Sequence, residues 1–350
     1  MSINASWISA AARGHPGAGS GPIAATPRGC YGAPPEVTLT EHEPRRHLLP
    51  TPALLLFGGV CISWAPILVK VAARQDLGPT SIAFWRLLTG AATLFAAAAL
   101  TGRPLLLPPR LALLACLGGT IFTADLFLWH RSINLVGAGM ATIFASTQVF
   151  NTAILNWIFV GEKPRGRFFF AAAVGLFGVA LLAGVGSDIA LSGDYLRGVL
   201  LGLATGLAYG SYLLTTRHLG RREPPLSPIT IVAWLSLGGA ASSGLICLFE
   251  NDPFLPATAT AWSALLALGI AVQAGGWWAI ATALPRVRGA TGGLVLLLQP
   301  LLATVWGWLL FGERLAPLQL VGALLTLGAI YAGTLGLGRR QAKPAQASRS

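Results

Sequence analysis

The sequence predicts an all-α integral membrane protein with ten transmembrane helices in two inverted five-helix repeats. Composition is the first observation: the 350-residue chain is 54% hydrophobic and only 10% charged, whereas a soluble domain carries about 25% charged residues. The second observation is a succession of long apolar runs, which begins at Pro52. The third is an internal duplication, in which a segment of the first half returns in a weaker form in the second half.

The apolar runs predict helices because each one is long enough to cross roughly 30 Å of hydrocarbon in helical form. A strand of a membrane barrel needs only about ten residues and alternates polar with apolar side chains. Backbone groups in lipid must also satisfy their own hydrogen bonds, which favours helices for unbroken apolar runs. We predict spans at 52–71, 80–100, 110–131, 137–160, 167–186, 196–216, 228–249, 261–283, 289–311 and 316–336.

The two ends of the chain are polar by comparison. Residues 1–48 are rich in Gly, Pro, Ala and Arg and lack the apolar core of a signal peptide. We predict a disordered cytoplasmic tail there, and a second, basic cytoplasmic tail at residues 338–350. With both termini inside, most Lys and Arg residues of the short loops also fall on the cytoplasmic side, which agrees with the usual charge bias of membrane proteins.

The net charge of +12 does not indicate a nucleic-acid partner. The basic residues are scattered between apolar runs and form no patch with interleaved aromatic side chains, so we expect the lipid bilayer and its anionic headgroups as the partner. The four cysteines, Cys30, Cys61, Cys116 and Cys247, include no close pair. We therefore expect no disulfide framework, no zinc site and no cofactor.

The duplication relates Ala138–Leu182 to Gly289–Gly333. Four pairs of identical residues share one constant offset, namely Gln148 with Gln299, Trp157 with Trp308, Gly161 with Gly312 and Glu162 with Glu313. We place the two repeats at 52–186 and 196–336, with five predicted spans each. Because five is odd, the second repeat enters the membrane upside down relative to the first. Inverted repeats of this kind are typical of secondary transporters, whose halves rock around a site between them.

These features resemble a known family. In each half the fourth predicted helix runs into a Gly-Glu-basic triplet, Gly161-Glu162-Lys163 and Gly312-Glu313-Arg314, and a glycine-bearing fifth helix follows. This pattern is similar to the EamA branch of the drug/metabolite transporter superfamily, over about residues 52–336. The family often carries a proline in the middle of the fourth helix; the second copy has Pro300 there, whereas the first has Val149. The resemblance implies ATP-independent transport of small metabolites by alternating access.

We therefore expect a secondary transporter that exports small-molecule metabolites or drugs across the cytoplasmic (inner) membrane, with a proton as one candidate coupling ion. A membrane-embedded enzyme and a non-transporting scaffold or sensor are the alternatives. The sequence contains no HExxH motif, no paired aspartates within the spans and no Ser/His dyad, which disfavours an enzyme. The inverted duplication disfavours a scaffold, which has no need of one.

Two ionisable residues stand out within the predicted spans. Arg86 lies about six residues into the second span and Asp125 about six residues from the outer end of the third, so both are ~9 Å deep at ~1.5 Å per residue. A charge in hydrocarbon is costly and usually faces a cavity or a partner. We expect the two side chains to lie close together and to pair. Three roles stay open: a structural ion pair, a proton relay at Asp125, and direct contact with substrate.

Six further residues are candidates for contact with a substrate. Gln148 and Gln299 share one depth in the two halves, and Asn151 lies one turn from Gln148; an amide in lipid needs a hydrogen-bond partner on another helix or on a ligand. Trp64, Tyr209 and Trp277 are aromatic residues suited to the wall of a largely apolar pocket. For each aromatic side chain, packing or contact with lipid is the alternative.

Glu162 and Glu313 each follow a glycine at the end of an apolar run. We expect Gly161 and Gly312 to end their helices, because glycine adopts the left-handed conformation of a helix C-cap without strain. Each carboxylate should then lie near the amino end of the next helix, where the helix dipole favours a negative charge.

Overall fold

The fold is that of a computed structural model, which describes residues 50–161, 164, 166–183, 192–220, 222, 225–283 and 289–337. Within these residues the regular structure is helical and includes no β-strand, in agreement with the all-α class. The predicted tails at 1–48 and 338–350 lie outside the described residues, and so do Glu162 and Lys163.

The helices of the described chain follow one another with short connections. They are α1 (Thr51–Ser63), α2 (Ala65–Ala73), α3 (Pro79–Leu100), α4 (Pro109–Val136), α5 (Ala138–Ala145), α6 (Gln148–Val160), α7 (Gly166–Leu182), α8 (Gly193–Gly220), α9 (Pro228–Cys247), α10 (Ala259–Ala267), α11 (Leu268–Gly276), α12 (Trp277–Ala283), α13 (Gly289–Phe311) and α14 (Pro317–Leu337). Among them α11 has π-helical hydrogen bonding.

Six helical segments of the described chain are long and apolar enough to cross a membrane. They are α3, α4, α8, α9, the continuous pair α1–α2 and the continuous run α10–α12. Shorter apolar helices occupy Gly166–Leu182, Leu298–Phe311 and Pro317–Ala332. The chain is therefore a multi-pass helical membrane protein, whereas the count of ten spans stays a prediction.

Glycines end the two helices that precede the Gly-Glu pairs. Gly161 follows α6 with a φ of 78°, and Gly312 follows α13 with a φ of 67°. Both angles lie in the left-handed region, which glycine adopts without the strain that a Cβ atom causes. The predicted helix ends at these two positions are confirmed.

The predicted span at 137–160 is not one continuous helix. It divides into α5 and α6 at Ser146 and Thr147, where each hydroxyl donates a hydrogen bond to a backbone carbonyl one turn earlier, at 2.8 and 2.7 Å. Such bonds compete with regular helical hydrogen bonding. In the second half, α13 continues through Pro300. The break therefore occurs in the copy that lacks the proline.

Helix packing brings the two halves of the chain together. The helix α4 packs against α8 and α9, α3 packs against α9 and α11, and α7 packs against α14. The contact of α4 with α9 is very close: a Cβ atom on Gly119 would lie 2.1 Å from the carbonyl oxygen of Leu235. Small residues of this kind allow helix backbones to approach each other within a membrane.

Candidate functional site

A small cavity lies between helices of the two halves. Five of the eight predicted site residues line it: Arg86 and Asp125 from the first half, and Tyr209, Trp277 and Gln299 from the second. Its volume is about 60 Å³, which is well below the roughly 300–1,000 Å³ of typical ligand pockets. The cavity is thus contracted in this conformation.

Arg86 is held in the cavity wall by a chain of hydrogen bonds across three helices. Its side chain is only 2% exposed. The Nε atom of Arg86, on α3, donates to Oε1 of Gln273, on α11, at 3.1 Å. Nε2 of Gln273 in turn donates to Oγ of Ser236, on α9, at 3.0 Å. The guanidinium keeps a free end, because its Nη1 atom has no hydrogen-bond partner among the described residues.

The π-helical turn and a glycine place Gln273 next to Arg86. Gln273 lies within α11, and π-helical turns are frequent at functional sites of α-helices. The facing position on α3 is Gly90, where a Cβ atom would lie 2.5 Å from Cγ of Gln273. A larger residue at 90 would displace the glutamine, so the contact between Arg86 and Gln273 depends on this glycine.

Asp125 faces the same cavity from α4, and its side chain is only 5% exposed. The structure brings Arg86 and Asp125 to one cavity wall, but it does not pair them. Within the described chain, ion pairs with an N–O distance of 4.0 Å or less join Lys70 to Glu313 and Arg131 to Glu250. The hydrogen bond that the guanidinium does make joins its Nε atom to Gln273 on α11. The role as a direct structural ion pair is thus not realised in this conformation.

Aromatic rings form the apolar side of the site. Phe122 stacks on Tyr212 with ring centroids 4.3 Å apart, and Trp277 meets Tyr212 edge to face at 5.3 Å. Tyr209 contacts Trp277 at 5.9 Å. The guanidinium of Arg86 lies 5.7 Å from the ring centroid of Phe122, within the range of a cation–π contact. Sequence reasoning did not single out Phe122, since one Phe in an apolar helix carries no signal of its own.

The two matched glutamines have different surroundings. Gln299 lines the cavity, and its Nε2 atom has no partner among the described residues. Gln148 lies off the cavity and accepts a hydrogen bond from Oγ1 of Thr152 at 3.2 Å. The equivalent positions in the two repeats therefore have different surroundings.

Asn151 and Trp64 also lie off the cavity. Asn151 is half-buried on α6, at the contact of this helix with α8 near Gly210. Trp64 occupies the junction of α1 and α2 and stacks on Trp306, with ring centroids 5.0 Å apart. The junction follows from Pro66, the second residue of α2, which lacks a backbone N–H for a continuous helix. Both residues belong to packing contacts in this conformation.

Glu313 caps a helix that is distant in sequence. Its carboxylate accepts hydrogen bonds from the backbone N–H of Ala138, at 3.0 and 3.1 Å, and from that of Gly139, at 3.4 Å. It also pairs with Nζ of Lys70. The expectation of a carboxylate at a helix amino end holds, but the helix is α5 and not the next one, α14. The correction follows from Gly137, whose φ of 90° turns the start of α5 towards Glu313.

The chemistry of the cavity is that of binding. It combines a cation, an anion, an amide donor and aromatic rings within one apolar enclosure. Within the described residues there is no cluster of three or more His, Cys, Asp or Glu side chains that could hold a metal ion. The arrangement thus suits a small molecule with both charged and apolar parts.

Comparisons with known proteins identify a family and several relatives of similar sequence. A model described as the EamA-like transporter family matches the chain twice, over residues 50–184 and 196–334. An uncharacterized protein of Pseudomonas aeruginosa is 30% identical over 298 residues, which cover 82% of this chain and 93% of that protein. The threonine/homoserine exporter RhtA of Escherichia coli is 28% identical over 220 residues, covering 60% of this chain and 65% of the exporter.

A solved structure shares the fold. This crystal structure superposes on the chain with a TM-score of 0.60 at 20% sequence identity. The match covers 81% of this chain and 98% of that one. At this level of identity the likeness concerns the fold alone.

Proposed function

The chain belongs to the EamA-like transporter family, and from that premise we propose that it is a secondary transporter that exports small metabolites across the inner membrane by alternating access. The relative named a threonine/homoserine exporter supports export of small metabolites. A membrane-embedded enzyme or a scaffold is the weaker alternative, because the cavity offers binding groups and no nucleophile–base pair.

The observation that carries this proposal is the position of the cavity. Helices from both halves line it, with Arg86 and Asp125 from one half and Tyr209, Trp277 and Gln299 from the other. A site between two repeats is opened to one side or the other when the repeats rock. Buried charges that form no close ion pair among the described residues also support a functional site, since intramembrane charges are costly to retain.

The pattern of helix contacts supports an inverted duplication of five-helix units. In the order of the ten predicted spans, α4 is the third span and α8 is the sixth, and these two pack together. Exchange of the two repeats turns this contact into one between the eighth span and the first, which is the observed contact of α12 with α1. The pairs α3 with α9 and α7 with α14 join equivalent spans of the two repeats. Such exchanged and self-matched contacts are what a two-fold relation between the repeats requires.

Alternating access in this proposal requires the cavity to expand. The present volume of about 60 Å³ leaves no room for a metabolite of ordinary size. With both termini in the cytoplasm, the contacts of Glu313 with Lys70 and with the start of α5 lie at the outer end of the helices. We propose that these contacts close the outer side and separate when the site opens outwards.

Asp125 is the candidate for coupling to a proton. No described residue donates a hydrogen bond to its carboxylate, so a change of its charge breaks no hydrogen bond among the described residues. Carboxylates in this position serve as proton relays in many transporters. Proteoliposomes with Asp125→Asn should lose substrate-driven proton movement, whereas unchanged proton flux would rule out this coupling role.

Flux through reconstituted vesicles tests the transport function directly. Purified protein in proteoliposomes should exchange a labelled substrate from a panel of amino acids, nucleosides and lipophilic cations, and empty liposomes give the background. A growth screen against toxic metabolites in cells that express the chain narrows the panel first. Absence of flux for every class would overturn the transport function, and turnover of a substrate without flux would favour the enzyme.

A further inference from the structure

We infer that the cavity binds a small zwitterion, with Arg86 facing its carboxylate and Asp125 facing its ammonium group. This inference rests on the proposed transport function and names the substrate class for the same site. The argument begins with the two charges. Both line one cavity, both are more than nine-tenths buried, and neither forms a close ion pair among the described residues.

Burial without a close ion pair makes the site selective for charge. A buried charge is strongly disfavoured unless an opposite charge or hydrogen bonds compensate it. Gln273 accepts one hydrogen bond from Arg86, but neither charge has an opposite charge in direct contact among the described residues. A ligand that carries both signs supplies that contact to Arg86 and Asp125 together. A ligand with a single charge supplies it to one residue only, so it should bind more weakly.

Arg86 is arranged to receive a carboxylate. Its Nε atom is already engaged by Gln273, and Ser236 anchors that glutamine from behind. The terminal nitrogens remain for a ligand, and Nη1 lacks any partner in the described chain. A guanidinium binds a carboxylate through parallel N–H···O bonds. The free Nε2 donor of Gln299 on the same cavity adds a second group suited to a carboxylate.

Asp125 is arranged to receive an ammonium group. An ionised carboxylate only accepts hydrogen bonds, and no described residue donates one to Asp125. An ammonium group supplies three donors. The rings of Tyr209 and Trp277 line the same cavity, and aromatic rings favour a cation through the negative faces of their π-systems.

Matched ligand analogues test the assignment. The probes are L-serine, L-leucine and L-phenylalanine, each compared with its methyl ester, which lacks the carboxylate, and its 2-hydroxy acid, which lacks the ammonium group. Binding is measured by calorimetry on the purified full chain in detergent. We expect at least one zwitterion to bind, and its two analogues to bind at least about tenfold more weakly, as for sites built around buried polar groups.

Variants assign the two charges separately. In Asp125→Asn the preference for the zwitterion over the 2-hydroxy acid should disappear, and the preference over the methyl ester should remain. In Arg86→Gln the pattern should be reversed. Arg131→Gln is the matched control, because Arg131 lies on α4 like Asp125 but pairs with Glu250 away from the cavity. Gel filtration and thermal unfolding establish that each variant is folded.

The outcomes separate this inference from the transport function. The zwitterion assignment is overturned if none of the three amino acids binds, if an analogue binds as tightly as its zwitterion, or if both variants weaken both analogues equally. The same protein in vesicles is assayed for flux of uridine and of tetraphenylphosphonium. Flux of either one without binding of a zwitterion leaves transport standing and removes only the zwitterion, whereas absence of all flux removes the transport function too.

Discussion

Two sets of oppositely charged side chains, Lys70 with Glu313 and Arg86 with Asp125, differ in how their charges are compensated. Glu313 is saturated: Lys70 pairs with it, and the backbone N–H groups of Ala138 and Gly139 donate to it. Asp125 receives no hydrogen bond from the described chain, although Arg86 lies on the same cavity wall. The saturated pair is also the more exposed one, with Lys70 and Glu313 each 21% accessible.

The difference separates charges that join helix ends from charges that face the cavity. A carboxylate with every lone pair engaged joins helix ends and has nothing left for a ligand. A carboxylate that is more deeply buried and unengaged weakens the fold, and a protein retains such a residue where function requires it. Burial and hydrogen-bond partners therefore distinguish the two groups in the same direction: Arg86 and Asp125 are the more deeply buried, and Asp125 is the carboxylate without a hydrogen bond from the described chain.

Removal of both cavity charges should have the largest effect. Arg86→Met together with Asp125→Leu should reduce transport about 100-fold or more, since truncation of a desolvated charge contact costs roughly 2–5 kcal/mol. Stability should stay equal or rise, because apolar residues often replace buried charges at no loss or with a gain of about 1–4 kcal/mol. Vesicle flux and denaturant unfolding in detergent measure the two quantities.

The matched control is the double replacement Lys70→Met with Glu313→Leu. It also removes one positive and one negative charge, but it removes the cap of α5 as well, so it should lower the free energy of unfolding. Equal stability changes in the two double variants would contradict the division into charges that join helix ends and charges that face the cavity.

Loss of the cap alone should rank second. Glu313→Ala removes the acceptor for the start of α5 and leaves Lys70 without its partner, which should cost about 2 kcal/mol of stability. The comparison variant is Glu250→Ala, in which a pair with Arg131 is lost but no helix cap; there the expected loss is about 1 kcal/mol or less. Thermal and denaturant unfolding in detergent are the measurements, and a larger loss for Glu250→Ala would refute the capping role.

A change behind Arg86 should rank third. Gly90→Ala places a Cβ atom 2.5 Å from Cγ of Gln273, so the glutamine must move and release Arg86. Overpacking of this kind should cost about 1 kcal/mol of stability, and binding to the cavity should weaken because Arg86 loses its orientation.

Gly328→Ala is the control for this substitution. It lies within α14, and a Cβ atom there meets no neighbour within 4 Å. Alanine should be neutral or stabilise the helix by up to about 1 kcal/mol. Unaltered ligand binding in Gly90→Ala would show that Gln273 does not position Arg86.

The smallest effect should come from Arg74. Its guanidinium lies 4.4 Å from the ring centroid of Phe311, beside Lys70 at 4.9 Å from the same ring. Arg74→Gln should cost only about 0.5 kcal/mol, the value of an exposed cation–π contact. Lys70→Gln should cost more, since Lys70 also pairs with Glu313. Unfolding of both variants under one condition gives the ranking, and the reverse order would exclude the ion pair as the main contact.

Sequence reasoning identified part of the cavity lining for a physical reason. A charged residue within an apolar run must face something polar, so Arg86 and Asp125 were identifiable without coordinates. The matched glutamines show where this reasoning ends. Position along a helix gives depth in the membrane, but the direction of a side chain depends on neighbouring helices, so Gln299 reached the cavity and Gln148 did not.

Partners distant in the chain were beyond the reach of local pattern. Gln273 is 187 residues from Arg86, and neither local sequence indicates that the two side chains are in contact. Glu313 was expected at the start of the following helix, whereas its partner is 175 residues away at Ala138. The break between α5 and α6 at Ser146 and Thr147 could not be predicted either, because Ser and Thr also occur in helices that do not break.

The sequence by itself determined the membrane environment, the helical class and the repeated unit, because hydrophobicity, run length and internal similarity are properties of the chain alone. The tertiary structure decided which charges are paired, which amide reaches the cavity and which helix Glu313 caps. These depend on close approaches between segments distant in sequence, at positions such as Gly90 and Gly137, where a Cβ atom would lie 2.5 Å from Gln273 and 3.0 Å from Glu313.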